Sequence, residues 1–455
     1  MRSFYLEHRT KFDALRSSAF AVLRRLALAV LLAPAVHAAP AAHCHVGGYR
    51  LQDGSLIDIA PSEGDSLRWR RFDGTTGALK QGSDGTWTST LGWTDRKDGV
   101  QIAFSDCASG TIAVDGVAGH RIALDTTDVT FQSQGIALAG RLVMPKGAKT
   151  APVVVLLHGS EHDSALQLYY LQRMLPAQGI GVFVYDKRGT GQSGGTYTQD
   201  FSVLAGDAVA AMREARRLAG PRLTRIGYQG GSEGGWIAPL AANRAPVDFV
   251  IVSFGLAVNV IDEDQESVEI QMREKGYSPD VIAKAQEVAR AAENVFASGF
   301  TSGFETFDAV RARYKNEPWY KDIRGDYAWF LLPYTTAQLK EMAPKYRWGT
   351  PFDYDPMPTL RANTTPQLWV LGGEDYDAPS GETSTRIKGL VASGAPFTLA
   401  YYPHAEHGMT LFDTAPDGTR LSTRFAPGYF AMMRDFIRGD RLRGPYGDAQ
   451  ITARP

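Results

Sequence analysis

The spacing of apolar and polar positions divides the chain in two. From His45 to about Asp128, short alternating or apolar runs (Tyr49–Leu51, Leu56–Ile59, Leu67–Phe72, Val100–Phe104, Thr111–Val114, Arg121–Leu124) alternate with Asp-Gly turns at Asp53-Gly54, Asp73-Gly74, Asp84-Gly85, Asp98-Gly99 and Asp115-Gly116. Asp-Gly pairs supply the positive φ that a tight hairpin needs, so residues 45–127 are expected to form a small all-β domain. After Asp128 the period changes. Two strands joined at Ser133-Gln134-Gly135 are followed by the wholly apolar runs Pro152–Leu157 and Gly181–Tyr185, as expected of strands covered on both faces. Helical patterns over Ala165–Gln178 and Asp200–Leu218 alternate with these, and strand patterns recur at Arg225–Gln229, Val247–Phe254, Gln367–Leu371 and Phe397–Tyr402. Such alternation predicts an α/β domain over 128–439, built on a doubly wound, mostly parallel sheet. Residues 259–357 break the rhythm with helical stretches at Ser267–Lys275, Pro279–Ala297 and Phe304–Tyr314 and an aromatic segment holding Trp319, Tyr320, Tyr327, Trp329 and Phe330. A helical insertion of this length is read as a lid over the carboxyl edge of the sheet. Its aromatics suit an acyl or aryl pocket and the lid's own core equally. Residues 440–455 read as a C-terminal tail.

Composition adds an address. Arg24 and Arg25 precede the apolar run Leu26–Val36, and Val36-His37-Ala38 places small residues for cleavage, so residues 1–38 read as a secretory signal peptide. The run is shorter than the roughly 20 residues that span a bilayer, so no membrane span is expected once the leader is removed. The protein is then expected to be periplasmic or secreted, where the two cysteines, Cys44 and Cys107, would form a disulfide. A formal net charge of −1 gives no electrostatic reason to expect a nucleic acid or an anionic membrane as partner. The sequence leaves the oligomeric state open.

The chemistry centres on Gly230-Gly231-Ser232-Glu233-Gly234. A strand pattern precedes it, and a helical one bearing Trp236, Ile237 and Leu240 follows. That context suits a nucleophile elbow, in which a serine is held in a strained turn at the end of a sheet. Gly191-Gln192-Ser193-Gly194-Gly195 also fits the pattern, but the polar segment after it offers no helix, so Ser193 is read as a loop residue. A serine needs a base, and the base an orienting carboxylate. Candidates lie in loops after later strands: Asp375 or Asp377 in one, His404 or His407 in the next. Glu233 suits a helix N-terminus better than a chemical role, and Asp186 and Arg188 look like braces of a loop beside the site. His158 and His162 have a spacing seen in metal sites, but they fall in a loop; no metal or cofactor is expected. Trp69, Trp87 and Trp93 fit the β-domain core better than a binding face. A non-catalytic protein acting through that β-domain is the reading from a different class.

Five segments together carry a resemblance: Tyr185 to Ser193 (YDKRGTGQS), Gly230 to Gly235 (GGSEGG), Tyr354 to Pro358 (YDPMP), Gly372 to Pro379 (GGEDYDAP) and His404 to Gly408 (HAEHG). The chain from about 128 to 439 resembles the secreted α/β-hydrolases related to dienelactone hydrolases and prolyl oligopeptidases. The resemblance implies Ser232 as nucleophile, Asp375 as the acid four residues before Pro379, and His407, immediately before Gly408, as the base. It further implies an oxyanion hole from the backbone amides of Ser160, after His158-Gly159, and Glu233. Where the family often has glycines after His-Gly, this chain has Ser160-Glu161-His162. The implied activity is a serine hydrolase without a cofactor that acts on a small-molecule carboxylic ester; a serine peptidase acting on short peptides is the alternative.

Overall fold

The structure, a computed structural model, describes residues 44–62, 66–83 and 85–454. The leader read at 1–38 lies outside the described residues. Among the described residues, eight strands close an antiparallel barrel: β1 (Gly47–Leu51), β2 (Leu56–Pro61), β3 (Leu67–Arg71), β4 (Thr76–Gln81), β5 (Trp87–Leu91), β6 (Lys97–Phe104), β7 (Thr111–Val114) and β8 (Val117–Arg121). Pairing of Arg50 with His120 joins the first strand to the last. Alternation turns Tyr49, Ile57, Ile59, Leu67, Trp69, Leu79, Ile102 and Val114 inward. The sequence pattern missed β4 and β5 because TGALKQ and WTSTL are short and rich in Gly and Thr. It also placed a run at Arg121–Leu124 where the structure has the break between β8 and the next strand, β8 itself being the mostly exposed VAGHR. Trp69 is a core residue whose indole donates to Ser89 Oγ at 2.8 Å, and Trp87 meets Phe104 edge-on at the core's margin. Trp93 departs from the expected core role: it is 40% exposed, lies under the Arg68 guanidinium and abuts Phe425. Cys44 and Cys107 are disulfide-bonded. On the chain-entropy model, closing a loop of this length stabilises the fold by roughly 4 kcal/mol.

The barrel leads directly into the second sheet through β9 (Leu124–Ser133) and β10 (Ile136–Pro145). The other strands are β11 (Ala151–Leu157), β12 (Gly181–Tyr185), β13 (Leu223–Gly231), β14 (Phe249–Ser253), β15 (Gln367–Gly372), β16 (Phe397–Tyr402) and β19 (Gln450–Ala453). They run in the order β19-β16-β15-β14-β13-β11-β12-β10-β9, with the block from β12 to β16 parallel and the flanks antiparallel. Helices cover both faces, so Val153–Leu157, Val182–Val184 and Phe249–Val252 are nearly inaccessible. Two expectations change. The helix expected over Ala165–Gln178 is broken into Ala165–Leu168, Leu171–Met174 and a short turn at Pro176–Gln178, because Tyr169 takes an extended conformation and sends its hydroxyl toward Gly159. The expected tail supplies the edge strand β19, whose four mostly exposed residues carry no hydrophobic signal.

Between β14 and β15 the chain forms helices Val260–Glu274, Pro279–Ala297, Phe304–Tyr314, Ala328–Leu331 and Thr336–Met342. Phe296, Phe300, Tyr327, Phe330, Tyr346 and Phe352 pack ring to ring, giving this insertion an aromatic core of its own. No helix of the described residues is long and apolar enough to cross a membrane.

The barrel is seated on the hairpin of β17 (Thr410–Thr414) and β18 (Arg420–Phe425), which follows His407. The Trp93 amide donates to the Ser422 carbonyl at 2.8 Å and the Phe425 amide to that of Gly74 at 2.9 Å; Arg96 pairs with Asp413. Gly92, at φ +53, lets the two backbones touch, since a Cβ there would sit 2.5 Å from the Ser422 carbonyl oxygen. Gly92→Ala is therefore expected to destabilise the protein by about 1–3 kcal/mol, a shift of a few degrees in Tm that thermal denaturation would register.

Candidate active site

Ser232 stands between β13 and the helix Gly234–Arg244 at φ +53, a left-handed conformation that a residue with a side chain rarely adopts. The bend is tight enough that a Cβ on Gly230 would run into the Gly234 carbonyl, which explains the flanking glycines. The parallel sheet brings other loops to the same rim. Gly159, after β11, is so near that a Cβ on it would lie 3.5 Å from the Ser232 Cβ. Phe254, after β14, links the serine turn to the histidine loop: a Cβ on Gly231 would meet its ring at 2.8 Å, and the ring packs edge-on against the His407 imidazole, centroids 4.9 Å apart.

The structure brings Asp375 and His407 together. Asp375, buried after β15, has its carboxylate oxygens 3.0 and 3.1 Å from His407 Nδ1. Its Oδ1 also accepts the backbone N–H groups of Asp377 at 3.0 Å and Ala378 at 2.8 Å. Asp377 therefore contributes its backbone to Asp375, while His404 is exposed. With Nδ1 engaged by the carboxylate, His407 keeps Nε2 for other chemistry. Burial presses this imidazole toward its neutral form, but the charge and hydrogen bond of Asp375, with Asp377 behind it, outweigh burial and raise its pKa above the usual histidine value. Burial also pushes the Asp375 carboxyl up, with His407 pulling it back.

Ser193 is a structural loop residue, as its setting in the sequence implied: its hydroxyl donates to the Asp186 carbonyl at 2.6 Å and accepts from the Ala139 amide at 2.9 Å. Asp186 does brace its surroundings, accepting from Ser164 Oγ, Leu166 N and Gln192 N, and Arg188 pairs with Asp207. His158 is buried with Nε2 3.1 Å from both the Tyr185 carbonyl oxygen and the Lys187 amide nitrogen, and His162 is stacked on Tyr197 at 3.6 Å, so the pair is not arranged around a shared ion. The grouping with metal-ligand proximity among the described residues, Cys44, His45 and Cys107, has its two sulfurs joined to each other.

The amides of Ser160 and Glu233 make no hydrogen bond to another described residue, and both flank the serine turn. The Glu233 side chain does more than sit at a helix terminus. It is buried in an ion pair with Lys187, whose Nζ lies 3.0 and 2.8 Å from its two oxygens. Burial pushes the Glu233 carboxyl up to about 7, while Lys187 pulls it down.

A second acidic group was not anticipated. Glu263 and Asp264, from the insertion's first helix, lie with Asp326 beside Asp375 and Asp377; burial first, then the neighbouring carboxylates, hold Glu263 and Asp326 well above the ordinary acid range. Asp264 accepts from the amides of Tyr327 at 3.1 Å and Ala328 at 3.3 Å, and its charge helps burial push Glu293 up to about 10. In the sequence these acids are scattered along a charged helix and a loop, which reads as a solvated face; only the fold gathers them.

A doubly wound sheet with this serine turn, histidine and carboxylate at one rim places the protein among the α/β-hydrolases. The chain belongs to the family described as "Serine aminopeptidase, S33", whose model matches residues 148–414, more than half of its length. It is a serine hydrolase. No curated protein matches the sequence. Among solved structures it is similar to an esterase of Pyrococcus furiosus (14% identity, 63% of this chain and 85% of that one, TM-score 0.39). A hypothetical protein of Pseudomonas aeruginosa is similar at 19% identity (70% and 94% covered, TM-score 0.40), and Est1E of Butyrivibrio proteoclasticus with ferulic acid bound at 17% (68% and 96% covered, TM-score 0.38). The assignment rests on the family match.

Proposed function

We propose that the protein cleaves carboxylic esters of small molecules through an acyl-enzyme on Ser232, with His407 as base and Asp375 as its orienting acid. The observation that carries this reading is the buried Asp375 carboxylate on His407 Nδ1, which fixes the tautomer whose Nε2 can take a proton. His407 Nε2 removes the Ser232 hydroxyl proton as Oγ attacks the carbonyl carbon. The oxyanion forms against the Ser160 and Glu233 amides, each worth about 3–4 kcal/mol to the transition state. Collapse expels the alcohol, which leaves with the proton held by His407, and water repeats the sequence to free the acid. The helical insertion acts as a lid that selects the acyl or alcohol part. A leader at residues 1–38 and the Cys44–Cys107 bridge support a periplasmic or secreted setting.

A serine aminopeptidase on the same residues is the second reading. It is favoured by the buried carboxyls of Glu263 and Asp326 beside Asp375, which burial and the charge of neighbouring carboxylates hold toward the protonated form and which a substrate ammonium would favour as carboxylates. A fluorophosphonate probe is expected to label the mature protein once, at Ser232, and p-nitrophenyl esters are expected to turn over faster than aminoacyl-anilides. Labelling that persists in Ser232→Ala sinks the nucleophile assignment, and faster anilide cleavage transfers the conclusion to the peptidase.

A further inference from the structure

Lys187 is 2% exposed, in the loop after β12, and no step of the chemistry above uses it. Besides Glu233, its ammonium donates to the Gly159 carbonyl at 3.1 Å and lies 4.7 Å over the Tyr197 ring. The Gly159 carbonyl belongs to the same peptide group as the Ser160 N–H. A trans peptide points its C=O and N–H in opposite directions, so a cation gripping the oxygen fixes where the hydrogen points. The next carbonyl, that of Ser160, accepts the Tyr197 hydroxyl at 2.7 Å, and the Gly159 amide lies 3.3 Å from the Tyr169 hydroxyl. The same ammonium binds the side chain of Glu233, whose own N–H is the other donor. Thus one buried charge ties together the two loops that supply both amides.

We infer that Lys187 is the positioning residue of the oxyanion hole, holding the Gly159–Ser160 peptide so that the Ser160 N–H faces the carbonyl attacked by Ser232. The inference rests on the reading of Ser160 and Glu233 as donors. It extends to electronics as well as direction, because a cation on the peptide oxygen draws electron density from the nitrogen and makes its N–H a stronger donor. The competing explanation is that Lys187 only neutralises a buried carboxylate, since leaving Glu233 without a partner would itself be destabilising.

Comparing Glu233→Gln with the double variant Lys187→Met/Glu233→Gln separates the two, because neither protein carries the buried carboxylate. From the first to the second, kcat is expected to fall by about 10²- to 10³-fold, the size of losing one oxyanion donor. KM should stay within about threefold, and affinity for a trifluoromethyl ketone that forms the oxyanion on Ser232 should fall in parallel with kcat. Affinity for the corresponding methyl ketone, measured as a ground-state ligand, should be nearly constant. Equal kcat and equal trifluoromethyl ketone affinity in the two proteins overturn the inference. If the double variant does not fold, Lys187→Arg replaces it: the planar guanidinium keeps the charge but not the direction of the donor, and an unchanged kcat there also overturns it. Failure of the serine-nucleophile reading beneath it looks different, because Ser232→Ala would then retain turnover whatever Lys187 does.

Discussion

Ser232→Ala is expected to lower kcat on esters by about a millionfold, and His407→Ala by a similar factor, with the double variant hardly worse than either. The reason for non-additivity is that the hydroxyl and imidazole act as one unit: without the base the serine is a poor nucleophile, and without the serine the base has nothing to deprotonate. Neither change should unfold the protein. Ser232 is only partly buried, and its turn is formed by backbone contacts, the Ser232 amide to the Ser253 carbonyl at 3.1 Å and the Gly235 amide to the Ser232 carbonyl at 2.7 Å. Alanine keeps those bonds, although the left-handed φ remains strained. Steady-state assay with an unchanged melting curve checks both claims, and a rate within tenfold of the parent in either single variant refutes the assignment.

Asp375→Asn should reduce kcat by about 10⁴-fold. The surroundings dictate how the amide sits. Oδ1 accepts two backbone N–H groups, from Asp377 and Ala378, so the amide oxygen takes that place and the NH₂ faces His407 Nδ1. Donation from the NH₂ to Nδ1 puts the imidazole proton on Nε2, where it blocks abstraction of the serine proton. The pH profile adds an independent readout. Burial lowers the His407 pKa, the carboxylate raises it, and the sum lies above the usual histidine value. A base must be neutral to act, so kcat/KM should fall as pH drops through that raised pKa. Without the carboxylate the lowering influence of burial is opposed only by the lesser charge of Asp377, and the acid limb of the residual activity should move to lower pH. An acid limb that stays in place would show that Asp375 does not control His407.

Some of this could be read from the chain as written. The wholly apolar runs that became β11 and β12 announced a sheet covered on both faces, since only such strands lack a polar alternate. The serine turn was legible because its glycines are demanded locally, by a bend too tight for side chains. Barrel strands β4 and β5 were not, because their burial comes from neighbours across the barrel and little from their own composition. β19 was not, because an exposed edge strand is held by backbone pairing alone, which any residue but proline can supply.

The same division holds at the site. Within single loops, sequence narrowed the chemistry to Ser232, to Asp375 or Asp377, and to His404 or His407, because strand ends and turn residues are local properties. The family resemblance already favoured Asp375 and His407, and the tertiary structure adds the geometry, turning Asp375 inward onto His407 and leaving His404 in solvent. Lys187 and the carboxyls of Glu263 and Asp326 were invisible beforehand for a stronger reason. A charged side chain on its own predicts exposure, and only burial against a partner distant in sequence brings it beside the site.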